Sequence, residues 1–113
     1  MKIRDKYTCP LELIFDMIAG KWKCIIIWRL RLGKQSLAAL NKDIEGINQK
    51  MLLQHLNELM DCKIVDKNTY EGYPLRVEYF LTEFGKEILS GLEVFQSIGK
   101  KYLKAEGNVI ELC

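Results

Sequence analysis

Four hydrogen-bonding side chains, Asn48, Gln49, Lys50 and Gln54, crowd the start of one predicted helix, and they are the sequence's best candidates for chemistry. The amides of Asn and Gln bond the edge of adenine in two places, and a Lys ammonium suits guanine or phosphate. His55 adds an imidazole in the same helix. A lone His without Cys, Asp or Glu at ligand spacing reads as a solvated or phosphate-facing side chain, not a metal ligand. The cysteines Cys9, Cys24, Cys62 and Cys113 form no CxxC pair, and the chain has one His, so a zinc site is not expected. There is no phosphate loop and no Cys/His/Asp arrangement. The expectation is a binding protein without metal, cofactor or catalysis.

The elements that position these residues read clearly. Pro10 suits a first helical position, and Leu11, Ile14, Phe15 and Ile18 follow with helical spacing before Gly20. A second helix is predicted from about residue 21 to 32. Its apolar residues, from Trp22 to Leu32, cover so much of the circumference that it must lie central in the fold or in a subunit contact. Ser36 caps a short third helix with Leu37 and Leu40 inward. Glu45 and Gly46 make a turn, and Asn48 caps a fourth helix reaching about Cys62. Leu52, Leu56 and Leu59 form its apolar stripe, with Met60 beside it, and Lys50, Gln54, Asn57 and Asp61 lie opposite. Ile64 and Val65 begin an extended segment, Tyr70 to Pro74 carry turn residues, and residues 76–81 alternate, so a two-stranded hairpin follows. Thr82 caps a last helix of about 20 residues, with Glu83 at its positive end. Phe84, Ile88, Leu92, Phe95 and Tyr102 repeat along one side, more apolar surface than a hairpin covers, so a partner subunit is expected there.

At 113 residues, 49% hydrophobic and 28% charged, the chain suits one domain spanning 1–113. Its parts are two N-terminal helices (9–32), a helix-turn-helix (36–62), a hairpin (64–82) and a C-terminal helix (83–104). The net charge is only +2. Lys21, Lys23, Arg29, Arg31 and Lys34 form a stretch without acid, which reads either as a phosphate-facing region or as ordinary solvated surface. No secretion signal and no apolar run near 20 residues is visible, so a cytoplasmic protein with free thiols and no membrane contact is expected.

Helix, glycine turn, helix, hairpin is the order that places the second helix of the pair in the DNA major groove. That helix begins at Asn48. Lys67 and Arg76 of the hairpin suit phosphate, and Lys34 and Ser36, beside the first helix of the pair, join the backbone-contact set.

The chain resembles the HxlR-type winged helix-turn-helix regulators, relatives of the MarR-type group, over residues 9–85. The carrying motifs are Cys9-Pro10, Gly20-Lys21-Trp22, Gly46-Ile47-Asn48-Gln49-Lys50-Met51-Leu52 and Pro74-Leu75-Arg76-Val77-Glu78-Tyr79-Phe80-Leu81-Thr82-Glu83-Phe84-Gly85. The resemblance implies a mainly helical fold with a small hairpin wing. It implies a homodimer formed by the N- and C-terminal helices, recognition by residues 48–55 and a wing at 67–76. It implies sequence-specific binding of double-stranded DNA, at a palindromic operator, to regulate transcription. The sequence departs at Ser36-Leu37 (Arg-Phe is usual), Leu53 (Thr), His55 (Arg), Cys62-Lys63 (Asp-Gly) and Leu75 (Pro), which bears on affinity and on the site recognised. The alternative is a winged module that binds protein and not DNA.

Cys9 sits at a predicted helix N-terminus, where the helix dipole favours thiolate, and Lys6 and Arg4 lie nearby in sequence. Some members of the resembled family sense oxidants or electrophiles through a cysteine at the matching position. Cys9 is therefore either a thiol sensor that weakens DNA binding when modified or a small capping residue. Cys24 is expected in the core and Cys62 partly exposed, while Cys113 is the last residue. Trp22 and Trp28 read as core, with an apolar pocket between the long helices for a small aromatic effector as the other reading.

Overall fold

A computed structural model describes residues 3–107. Cys113 lies outside them, as do the other residues beyond 107. Five helices and a three-stranded sheet follow in the order α1 (Pro10–Ile18), α2 (Lys23–Leu30), β1 (Gln35–Ser36), α3 (Leu37–Asp43), α4 (Gln49–Asp61), β2 (Val65–Tyr70), β3 (Arg76–Leu81) and α5 (Glu83–Ala105). Three short polar side chains set three of the helix starts. Ser36 Oγ accepts from Ala39 N–H at 3.1 Å, Asn48 Oδ1 from Met51 N–H at 2.8 Å and Thr82 Oγ from Gly85 N–H at 3.0 Å. Each satisfies a backbone donor that the helix leaves unpaired.

The hairpin is one strand richer than expected. The sheet runs β1-β3-β2, all antiparallel, with Gln35 opposite Tyr79 and Ser36 opposite Glu78. Two residues carry no readable alternation, so the sequence shows Ser36 only as a cap. The second helix is also shorter than the predicted 21–32. Beyond Leu30 the N–H groups of Arg31, Leu32 and Gly33 reach back three residues, to Trp28, Arg29 and Leu30. Such tightened bonds end a helix, and Leu32 is left exposed.

Ile26, Ile27, Leu40, Leu52, Leu56, Leu59, Ile64 and Val65 are fully buried where α2, α3, α4 and the sheet meet. Tyr79, Leu81, Ile88 and Leu89 close the core from β3 and α5. The α3–α4 turn passes through Gly46 at φ +91°, where the Trp22 ring stands 3.4 Å from the place of a Cβ. Cys62 is buried, not partly exposed as expected: it belongs to the core cluster together with Ile64 and Val65, which lead from the end of α4 into β2. Lys63 takes a left-handed φ of 63°, which explains why a glycine suits that position.

The basic stretch does not form one phosphate-facing patch. Lys23 is 4% exposed and its Nζ lies 2.5 Å from Glu58 Oε2. Lys21 covers the Trp22 ring and Arg31 the Trp28 ring. The Lys23 ammonium is the chief cause holding the Glu58 carboxyl below its ordinary value of 4.5. A carboxylate with a lowered folded pKa contributes stability above its unfolded pKa, and that stability is lost as pH falls through the folded value. Thermal unfolding is therefore expected to show a midpoint that drops on acidification below about pH 4.5, with a smaller drop in Glu58→Gln. Equal pH profiles for the two proteins would contradict the assignment.

Candidate nucleic-acid interface

The exposed side of α4 carries the predicted recognition residues together. Gln49, Lys50 and Gln54 are exposed, and Asn48 is exposed at the cap. Asn48 spends its Oδ1 on the cap, leaving its amide N–H groups for a ligand. The first turn of α4 holds Lys50 and no acid. A cation at the positive end of a helix opposes the dipole by about 0.3–1 kcal/mol. Lys50 does not stabilise its own helix, and an anion in front of this turn would remove the conflict.

His55 departs from a solvated side chain. It is half-buried, and its Nδ1 is buried without a hydrogen-bond partner. The tautomer that leaves no buried N–H unpaired carries its proton on Nε2. Sequence reasoning passed over Leu53, noted only as a replaced Thr. It is 39% exposed between Lys50 and Gln54, an apolar contact suited to a thymine methyl. Nothing but its position among polar neighbours signals this.

The wing splits its two cations between faces. In β2 and β3, Lys67 stands opposite Tyr79 and Arg76 opposite Tyr70. Opposite residues share a face, so Lys67 lies on the face of buried Tyr79 and Arg76 on the other, stacked 4.5 Å over the Tyr70 ring. At the tip, Tyr73 and Leu75 are strongly exposed, where the sequence showed only turn residues. Ser36 sits at the root of the wing, half-buried, with its oxygen engaged in the α3 cap. Lys34 is exposed beside the Phe80 ring. It lies at the end of β3 away from Arg76, about 13 Å by strand rise, so it stands apart from the wing-tip cations.

Cys9 occupies the N-cap position of α1, but its side chain makes no cap hydrogen bond. The residue before it is tied to the helix instead: Thr8 donates from both N–H and Oγ to the Glu12 carboxylate. Thr8 first, then Arg4, hold the Glu12 carboxyl below its ordinary range. Arg4 pairs with Asp16 at 2.8 Å and Glu12 at 2.9 Å, so its charge is spent on α1 carboxylates. Cys9 is exposed, Cys24 half-buried and Cys62 buried. Burial pushes the Cys24 and Cys62 thiols up. Cys24 lines an apolar cavity of about 330 Å³ between α2 and α5 with Trp28, Leu92 and Phe95. Among the described residues, no three His, Cys, Asp or Glu side chains gather at metal-ligand spacing, and no helix is long and apolar enough to cross a membrane.

A helix-turn-helix backed by a short β1 and flanked by a β2–β3 wing defines a winged helix-turn-helix protein. The profile of HxlR-like helix-turn-helix proteins matches residues 17–107. An HTH-type transcriptional regulator of Methanothermobacter thermautotrophicus is 37% identical over 98 residues, 87% of this chain and 75% of the relative. The crystal structure of an HTH-type transcriptional regulator, ytcD, superposes with a TM-score of 0.79 at 31% identity, covering 86% of this chain and 99% of that one. The redox regulator HypR in its oxidized form superposes at 0.78 with 34% identity, covering 82% and 96%. The chain belongs to the HxlR-like helix-turn-helix family of transcriptional regulators.

Proposed function

We propose that two copies of this chain bind a palindromic double-stranded DNA operator, each laying the first turns of α4 in a major groove. The observation that carries the reading is that first turn: Gln49 and Lys50 exposed, no acid, and a cation opposed by its own helix. Gln49, Lys50, Leu53 and Gln54 read base edges, with Asn48 and His55 at their margin. Arg76 and Lys67 reach phosphates on either side of the wing, and Ser36 contributes at its root. Lys34 supports backbone binding only from outside this cluster. The second copy covers α1 and α5, where Leu11, Phe15, Val94, Phe95, Ile98 and Tyr102 are exposed. Surfaces of this kind mark association sites. The protein carries no catalytic activity or cofactor in this reading, as its relatives are regulators, and it works in the cytoplasm, beside the DNA. Selection of bound duplexes from a random pool is expected to return a symmetric site bound less tightly as salt rises. A pool without enrichment at low salt would refute the proposal.

Regulation enters through Cys9. Two observations support this: it is the exposed thiol among the described residues, and it takes no part in capping α1. HypR, similar over most of this chain, is a redox regulator. Alkylation by N-ethylmaleimide, in which the sulfur adds across the C=C bond and the thiol proton ends on carbon, is expected to lower operator affinity at least about tenfold, or 1.4 kcal/mol. Cys9→Ser is expected to be indifferent. A Cys9 adduct, verified by mass, with unchanged affinity would end the idea. The α2–α5 cavity is the place for a small apolar effector in the same scheme.

A further inference from the structure

We propose that a cavity where α2, β3 and α5 meet binds a small phosphate monoester with an apolar body. The cavity measures about 370 Å³ and is lined from the end of α2, the last residues of β3 and the first turns of α5. That volume lies in the range of about 300–1,000 Å³ usual for small-ligand sites. Leu30, Leu81 and Leu89, all buried, form its apolar wall. Arg31, Lys34 and Lys86 line it too, and no carboxylate does. The basic stretch of the sequence therefore divides. Lys23 is spent on Glu58, while Arg31 and Lys34 meet a third cation, contributed by α5.

A cleft lined by one sign of charge, with apolar walls, concentrates ligands of the opposite sign. Arg31 gives Nη1 to the Trp28 carbonyl oxygen at 2.9 Å and lies over the Trp28 ring. These contacts hold the guanidinium in place and leave it further N–H donors. The Lys34 ammonium lies 5.9 Å from the centre of the Phe80 ring. Neither Arg31 nor Lys34 forms an ion pair among the described residues. Lys86 meets Glu83 at 3.3 Å, but both side chains are exposed, and such a pair is readily exchanged for a better one. A phosphate monoester brings about −1.5 to −2 charges and three acceptor oxygens to the three cations. A carboxylate brings one charge and two oxygens. The apolar body of the ester then takes the leucine wall and Phe80. Duplex DNA does not suit the position: Leu81 ends β3, the wing turn is at the other end of that strand, and no residue of α4 lines the cavity.

The test is calorimetric titration of the full chain with phenyl phosphate at low salt. It needs no DNA, so its outcome is independent of the operator reading. Saturable binding of one molecule per chain is expected, with benzoate and inorganic phosphate each weaker by at least about tenfold. Lys34→Glu and Lys86→Glu are each expected to weaken phenyl phosphate by at least about tenfold. Lys86→Glu places its carboxylate in the first turn of α5, where the helix dipole favours it, so the fold is retained, and thermal melting checks this for both variants. Lys86→Gln is the milder second variant and is expected to fall between Lys86→Glu and the unaltered protein. Absence of phenyl phosphate binding would overturn the inference. So would binding that Lys34→Glu and Lys86→Glu leave unchanged. Phenyl phosphate held no more tightly than inorganic phosphate would reduce the cavity to a site for an adventitious ion only and overturn it as well. If phenyl phosphate does not bind and Lys86→Glu instead weakens duplex binding, the three cations are a DNA-backbone contact and the inference fails.

Discussion

Lys50→Glu is expected to abolish operator binding while making the folded protein slightly more stable. Each ordinary base or phosphate contact of this kind is worth about 1–3 kcal/mol. A dimer loses two of them, and the reversed charge adds repulsion from phosphate, so a loss of a thousandfold or more (about 4 kcal/mol) is expected. Stability moves the other way. Lys50 lies in the first turn of α4, which holds no acid, and a carboxylate there is favoured by the helix dipole by about 0.3–1 kcal/mol. The milder Lys50→Ala should reduce the salt dependence of binding by about one unit of slope per subunit. Thermal melting and a salt titration on the selected duplex separate these effects. If Lys50→Glu binds like the unaltered protein, the first turn of α4 does not face DNA.

Gly85→Ala is expected to destabilise the fold by about 3 kcal/mol or more, at the upper end for overpacking. A Cβ at Gly85 would stand 2.1 Å from the carbonyl oxygen of Ile64 and 3.1 Å from its carbon. Neither atom can swing aside as a side-chain tip would. The same carbonyl accepts from Thr82 N–H at 3.0 Å and from Thr82 Oγ at 3.1 Å, while Thr82 Oγ also lies 2.5 Å from the Lys63 oxygen. One short stretch after α4 is therefore tied to the junction of β3 and α5. Forcing α5 away from it would strain the link between the recognition helix and the long helix. Gly91→Ala is the control, since nothing lies within 4 Å of a Cβ there. Helix propensity makes it neutral or stabilising by up to about 1 kcal/mol. Equal melting behaviour of the two variants would contradict the packing described.

The contrast between these two residues shows what the sequence discloses. Lys50 was readable because its neighbours obey local rules. Asn48 is a cap, Leu52, Leu56 and Leu59 fix which side of the helix is buried, and the polar side follows by geometry. Ser36 and Thr82 announce their helices in the same way. Gly85 was quoted only as part of a motif, because its constraint comes from a carbonyl more than 20 residues earlier. Lys23 escaped for the same reason: a lysine among basic neighbours reads as surface, and only the approach of Glu58 from α4 makes burial affordable. The β1 strand was too short for any periodicity. Cys62 looked half-exposed because its position at a helix end is visible in sequence and its packing into the core with Ile64 and Val65 is not. The side-of-sheet split between Lys67 and Arg76 depends on register, which Tyr79 and Tyr70 set across the ladder. Leu53 and the apolar wing tip stayed unread, since an exposed apolar residue has meaning only once the surface around it is known.

Cleavage footprinting of the selected duplex with the purified protein tests the account most directly. It predicts two equivalent protected half-sites whose centres lie about one helical turn, roughly 34–36 Å, or a multiple of it apart, both erased by Lys50→Glu. A single unpaired patch of protection, or two patches that survive Lys50→Glu, would contradict it.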